Sequence, residues 1–77
     1  MATARPIHEI AREISRNWAN VYFAAVPYLQ AMSVLDKITD RYGFEYADEI
    51  VIRFLDNART WRGDTARRIK AELRAMV

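Results

Sequence analysis

The sequence predicts an all-α fold, a compact bundle of four short helices. The 77 residues are 52% hydrophobic but include only two glycines and two prolines, a composition typical of a folded chain with few turns. Apolar residues recur at the three- and four-residue spacing that lines one face of a helix. Short connections between these stretches favour antiparallel neighbours. We predict helices at about 6–19, 24–42, 46–58 and 62–76.

The chain is long enough for one domain, residues 1–77, because so short a chain cannot fill two cores. We expect residues 1–5 to be flexible ahead of the first helix. Zero cysteines exclude a disulfide, and the lone His8 does not make a zinc ligand set, so we predict no cofactor and no metal. A core of this size supplies about 3–5 kcal/mol. Self-association is a common further source of stability, and we predict a homodimer.

The first predicted helix begins at Pro6, because a proline N–H is not needed in a first turn. Its apolar face consists of Ile7, Ile10, Ala11, Ile14 and Trp18. Asn17 and Asn20 bracket its end.

The second helix begins between Tyr22 and Pro27, since proline would break a helix that continued from the first. Its apolar face consists of Tyr28, Ala31, Met32, Leu35, Ile38 and Tyr42. Gly43 offers the left-handed C′ position that ends many helices. We expect Phe44 to fold back on that last turn.

The third helix has the clearest periodicity, and Asp48 and Glu49 suit its first turn because the helix dipole favours negative charge there. Its apolar face consists of Ala47, Ile50, Val51, Phe54, Leu55 and Ala58. The fourth helix starts near 61–64 with Thr60 or Asp64 as its N-cap. Its apolar face consists of Ala66, Ile69, Leu73 and Met76.

The longest apolar run, 21–29, includes Pro27 and is far shorter than the roughly 20 residues that a membrane span needs. The first residues lead into a charged amphipathic stretch and not into an apolar signal segment. We therefore expect no membrane partner and a cytoplasmic protein.

Charge is distributed unevenly along the chain. Residues 36–58 carry three basic and six acidic side chains, a net −3, whereas residues 59–77 carry six basic and two acidic ones, a net +4. The basic set of the C-terminal segment is Arg59, Arg62, Arg67, Arg68, Lys70 and Arg74. These side chains could contact phosphates, with Trp61 stacking on a base, or they could pair with the acidic middle within or between subunits.

Catalysis has little support in the sequence. A nucleophile and base would have to be built from His8 and either Ser15 or Ser33, and we expect His8 to be solvated in a first turn. Asp36 and Asp40, four residues apart, fit a solvated helix face beside Lys37 and Arg41. No glycine-rich phosphate loop is present. We predict that the chain is not an enzyme.

Nine aromatic residues, 12% of the chain, are many to bury in so small a domain. Most are expected in the core, but an apolar patch left at the surface would mark an interaction site. The candidate interaction surface consists of Trp18, Tyr22, Phe23 and Trp61.

Two segments, Val21-Tyr22-Phe23-Ala24-Ala25-Val26-Pro27-Tyr28-Leu29-Gln30-Ala31-Met32 and residues 60–73 with the run Thr60-Trp61-Arg62-Gly63-Asp64, carry a resemblance. With Leu35-Asp36-Lys37-Ile38 and Tyr42-Gly43, the chain from about Ile10 onward resembles small helical proteins of actinobacteria and their bacteriophages, including mycobacteriophages. The resemblance implies a cytoplasmic protein of an actinobacterial host and carries over no catalytic residue.

The leading interpretation is a non-enzymatic protein-interaction module, a phage accessory protein that acts as a homodimer or binds a host protein. The alternative is a small nucleic-acid-binding protein that uses the basic C-terminal helix. The two differ in whether the arginines of that helix are unpaired or face the acidic residues of 36–56.

Overall fold

The computed structural model describes residues 5–77 and is mostly helical, with one short β-hairpin between the second and third helices. The elements are α1 (Ile7–Asn17), a 3-10 turn (Phe23–Ala25), α2 (Val26–Met32), β1 (Arg41–Tyr42), β2 (Glu45–Tyr46), α3 (Ala47–Asp56) and α4 (Asp64–Met76). The mostly helical class with four helices is confirmed. The expectation of an all-α fold is corrected by the hairpin.

The core lies between all four helices, with α2 packed against α3 and α1, and α4 packed against α1 and α3. The predicted apolar faces of the first, third and fourth helices are confirmed, because their central residues are buried. The largest side chains with almost no exposed surface are Phe54, Ile7, Ile10, Ile14, Met32, Ile50, Ile69 and Leu73. Within residues 5–77 no polar or charged residue is buried, so apolar contact holds this core together.

The second predicted helix, 24–42, is wrong beyond Met32. After α2 the chain turns, and the backbone carbonyl oxygens of Leu35 and Asp36 accept the amides of His8 and Ile7 at 2.8 and 2.9 Å. These amides begin α1 and have no intrahelical partner, so the 35–36 segment caps that helix. Leu35 is nevertheless buried, as the helical pattern predicted.

Asp40 stabilises the turn that follows. Its carboxylate accepts the amides of Asp36 and Lys37 at 3.2 and 3.0 Å. Short polar side chains that bind nearby amides offer the backbone an alternative to the helix. Asp36 and Asp40 are therefore not the solvated helix pair that their spacing predicted.

Gly43 lies in the two-residue loop of a hairpin and does not end a helix. Tyr42 pairs with Glu45 across the strands, and Arg41 pairs with Tyr46. Gly43, the first loop residue, has φ +65°, whereas Phe44, the second, does not have a positive φ, since every described residue that does is a glycine. This is the pattern of a type II′ turn with glycine first. Phe44 follows in the loop and is 98% exposed, so it does not fold back on a helix as predicted.

The remaining boundaries differ from the predicted ones by a few residues. α1 ends two residues early, and α4 begins at Asp64 after Gly63, whose φ of +113° and ψ of 179° are accessible essentially to glycine alone. Of the segment expected to be flexible, residues 1–4 lie outside the described part of the chain. No helix in the described range has the length and apolar character to cross a membrane.

Candidate interaction surface

Trp18 and Trp61, two of the four residues predicted to form an interaction surface, belong to the core. Their indole rings stack with centroids 5.6 Å apart and an interplanar angle of 12°. Phe54 meets the two rings edge-on at 6.2 and 6.4 Å. The Trp61 Nε1 donates to the Asn17 Oδ1 at 2.9 Å, so its polar atom is satisfied. Because Trp18 and Trp61 are only 7% and 2% exposed, a partner cannot reach them in this fold.

Tyr22 and Phe23, the other two predicted residues, are exposed. They precede α2 and contact each other edge-on, with ring centroids 4.8 Å apart. Phe23 retains 78% of its accessible surface. This pair stays available as a small apolar contact surface.

The hairpin carries a larger aromatic surface that the sequence analysis missed. Tyr42, Phe44 and Tyr46 are all exposed, and the Arg41 guanidinium lies 4.8 Å from the centroid of the Tyr46 ring. Beside the loop lies an open groove of about 400 Å³, whose lining includes Tyr42, Phe44, Pro27, Tyr28, Ala31 and Ile50. The run Tyr42-Gly43-Phe44-Glu45, with glycine at the first loop position, was the available hairpin signal.

The basic residues predicted for nucleic-acid contact fall into two groups. Arg67 pairs with Asp64 in its own helix, and Arg68 pairs with Glu13 of α1. Arg59, Arg62 and Arg74 are exposed and make no ion pair with any residue of 5–77. No carboxylate of segment 36–56 pairs with the C-terminal basic residues in this part of the chain. The arginines without ion pairs and the acidic side chains of segment 36–56 therefore both remain at the surface.

A polar network joins α1 to α4. Arg5 donates to both carboxylate oxygens of Glu72, at 2.9 and 2.7 Å, and pairs with Glu13 at 2.9 Å. The Glu72 carboxylate raises the pKa of Arg5 above its ordinary value. The hydrogen bond from Arg68, together with Arg5, lowers the pKa of Glu13. The network is partly exposed and fixes the chain just before α1.

Lys70 lies among other cations on the α3 side of α4. Its Nζ donates to the Trp61 carbonyl oxygen at 2.6 Å and lies 5.9 Å from the centroid of the Trp61 ring. Partial burial lowers the pKa of Lys70, and the charges of Arg74 and Arg62 lower it further. Positive charge is therefore concentrated here, and no carboxylate of residues 5–77 forms an ion pair with Lys70.

Within residues 5–77, the serines and His8 do not form a hydrogen-bonded pair of nucleophile and base. The half-buried His8 makes no side-chain hydrogen bond there, and the Ser33 Oγ donates to the Gln30 carbonyl oxygen at 2.6 Å. No group of three or more metal-ligating side chains occurs among the described residues. What the surface offers is contact area and charge.

Comparison with protein-family models, with curated proteins and with solved structures finds no match for this chain. Within residues 5–77, the features available to bind a partner are the exposed aromatic side chains of the hairpin and the surface charges without ion pairs.

Proposed function

We propose that this chain is a non-enzymatic protein-interaction module whose principal contact element is the hairpin. It acts as a homodimer, binds a host protein, or does both. The sequence resemblance supports an accessory role in the cytoplasm of an actinobacterium that carries a phage.

The exposure of Phe44 carries this proposal. A phenylalanine at the tip of a two-residue loop is 98% exposed, although a polar residue would serve the turn equally well. Full burial of such a side chain contributes about 1.5–3 kcal/mol. Phenylalanine is one of the aromatic residue types enriched in the buried centres of protein interfaces.

The groove beside the loop supports the same function. Its volume of about 400 Å³ is sufficient for one or two apolar side chains of a partner, and Tyr28, Ala31 and Ile50 supply apolar lining. A partner that contacts Phe44 can therefore place its own side chain in the groove. Tyr42 adds a hydroxyl group that can form a hydrogen bond at the rim.

The alternative function is nucleic-acid binding, favoured by the absence of ion pairs at Arg59, Arg62 and Arg74 within residues 5–77. Two observations weigh against it. Trp61, the predicted stacking residue, is 2% exposed and cannot receive a base. Exposed carboxylates, including Asp56 near Arg59, would repel a phosphate backbone.

Capture of partners by the tagged protein from an actinobacterial lysate, with and without nuclease, tests the two functions together. We compare wild type with Phe44→Ser and with the control Val34→Ser, which removes another exposed apolar side chain away from the hairpin. We expect wild type to capture a protein whether or not nuclease is added. This capture should be lost with Phe44→Ser and retained with Val34→Ser.

Two results would instead support the alternative. One is capture that nuclease abolishes. The other is binding of random duplex DNA that falls steeply with salt and is lost with Arg59→Glu and Arg74→Glu, as expected when arginine–phosphate contacts release counterions. Equal capture by wild type and Phe44→Ser would remove the hairpin from the proposal.

A further inference from the structure

A second apolar surface lies beside α3 and the end of α4, with Ile52, Tyr46 and Val77 exposed and Leu55 and Ile38 half-buried. We call it the α3–α4 strip, and it consists of Leu55, Ile52, Val77, Ile38 and Tyr46. Two grooves open on it, one lined by Ile52 and Leu55 and the other by Ile38 and Tyr46, and Val77 lines both. Because the grooves share Val77, the strip is one continuous surface.

The two ends of the strip carry opposite charge. The groove at Leu55 is also lined by Arg59, Lys70 and Arg74, and Asp56 is the one acidic side chain in its lining. The groove at Tyr46 is also lined by Asp48 and Glu49 and has no cation in its lining. An apolar centre therefore lies between a basic end and an acidic end.

These charges are not neutralised by ion pairs inside the described chain. Within residues 5–77, none of the charged residues that line the two grooves takes part in an ion pair. Arg53, outside both grooves, is attracted by Glu45 and more weakly by Glu49, and it forms an ion pair with neither within residues 5–77. Partial burial lowers the pKa of Lys70, and the charges of Arg74 and Arg62 lower it further. A carboxylate from another chain would offset this concentration of positive charge.

We propose that a second copy of this chain packs on the α3–α4 strip about a two-fold axis near Ile52 and Val77. The basic end of each copy then meets the acidic end of the other. A two-fold interface brings the same patch of both subunits together, so both charge contacts form at once. Apolar burial at the centre stabilises the dimer, while the charges determine its orientation. This inference rests on the proposed function and assigns the surface of the homodimer.

Charge-reversal variants test this geometry by sedimentation equilibrium near physiological salt. One variant reverses the basic end with Arg59→Glu and Arg74→Glu. The other reverses the acidic end with Asp48→Asn and Glu49→Lys. Asparagine is chosen at position 48 because its side-chain oxygen can still accept the hydrogen bond that the backbone amide of residue 49 donates to Asp48. We expect wild type to dimerise and each variant alone to dimerise about tenfold or more weakly, because like charges then face each other.

An equimolar mixture of the two variants provides the decisive measurement. In the mixed dimer both contacts are again between opposite charges, so we expect association close to that of wild type. The matched control is Arg12→Glu with Arg16→Glu, two exposed positions of α1 outside the strip, which should dimerise like wild type. Far-UV circular dichroism of each variant verifies the fold, and the chain with all four substitutions should dimerise with itself.

A monomeric wild type, single-end variants that dimerise as well as wild type, or a mixture that stays monomeric would each overturn the inference. Failure here is distinguishable from failure of the proposed function. Capture through Phe44 does not require the strip, so its persistence with a monomeric protein would leave the hairpin proposal standing. Conversely, if Phe44→Ser leaves dimerisation unchanged and no partner is captured through the hairpin, the α3–α4 strip stands as the dimer surface and the hairpin proposal fails.

Discussion

Two aromatic clusters of this protein are treated in opposite ways by the fold. Trp18 lies far along the chain from Phe54 and Trp61, and the three rings pack into one buried cluster with centroid distances of 5.6 to 6.4 Å. Tyr42, Phe44 and Tyr46 lie within five consecutive residues and are all exposed. The contrast indicates that backbone context, more than residue type, determines which ring becomes core.

The physical difference lies in what each segment can turn inward. A helix with apolar residues every three or four positions presents one whole face to its neighbours, and Phe54 lies in the middle of such a face. A hairpin with two residues per strand has no face large enough to pack against another element, and its loop residue points away from the fold. Rings in the first setting contribute stability, whereas rings in the second are available for binding.

The largest effect expected from this comparison is that of Phe54→Ala. Phe54 has no exposed surface, so its truncation should cost about 3–5 kcal/mol, comparable to the whole stability of a small domain. Thermal unfolding followed by circular dichroism should show a largely unfolded variant, with Val34→Ala as an exposed control. A cooperative transition near the wild-type midpoint would contradict the assignment of Phe54 to the core.

A smaller loss is expected for Trp61→Phe, at about 2 kcal/mol, because the variant loses part of the stack on Trp18 and the hydrogen bond to Asn17. Urea unfolding measures the change. In a double-mutant cycle of Trp61→Leu and Trp18→Leu, which remove the aromatic contact, the coupling energy should be about 0.5–1.5 kcal/mol. Strictly additive losses would show that the two rings do not interact as the geometry indicates.

Glu13→Gln should change the pH dependence of stability by a smaller amount. In the folded chain, the hydrogen bond from Arg68 and the ion pair with Arg5 lower the pKa of Glu13 below the ordinary 4.5. As the pH falls, Glu13 therefore takes up its proton at a higher pH in the unfolded chain than in the folded chain. The stabilisation is therefore present above about 4.5 and is lost on acidification through the folded-state pKa. Urea midpoints between pH 7 and 3 should fall less for Glu13→Gln than for wild type.

The control for this variant is Glu9→Gln, which removes an exposed carboxylate of the same helix that has no ion pair within the described range. Its acid dependence should match that of wild type. Identical curves for all three proteins would exclude a contribution from the α1–α4 network.

The smallest effect on folding is expected for Phe44→Ser. Because Phe44 packs against almost nothing, the free energy of unfolding should change by no more than about 0.5 kcal/mol, even though partner capture is lost. Urea unfolding of monomeric protein tests this. A loss above about 1 kcal/mol would mean that the ring contributes to the fold, and the contrast between the two aromatic clusters would fail.

Local pattern predicted much of the fold but little of the candidate surface. The apolar faces at Ile10, Phe54 and Ile69 were assigned correctly because their spacing repeats over several turns. Phe44 was placed against a helix that does not extend that far. Trp18 and Trp61 were named as candidates for the interaction surface, although Trp18 also lies on the predicted apolar face of the first helix. Local sequence does not show that the two rings stack across the fold.

By itself, the amino-acid sequence determined the positions of the first, third and fourth helices and the residues that they bury, since apolar periodicity acts within each segment. Only the tertiary structure decided the segment from residue 33 to residue 46. Leu35 and Ile38 point inward in a helix and in the observed turn alike, so their spacing does not distinguish the two. The amides of Ile7 and His8 need acceptors, and the carbonyl oxygens of residues 35 and 36 are available to them only when α2 has ended.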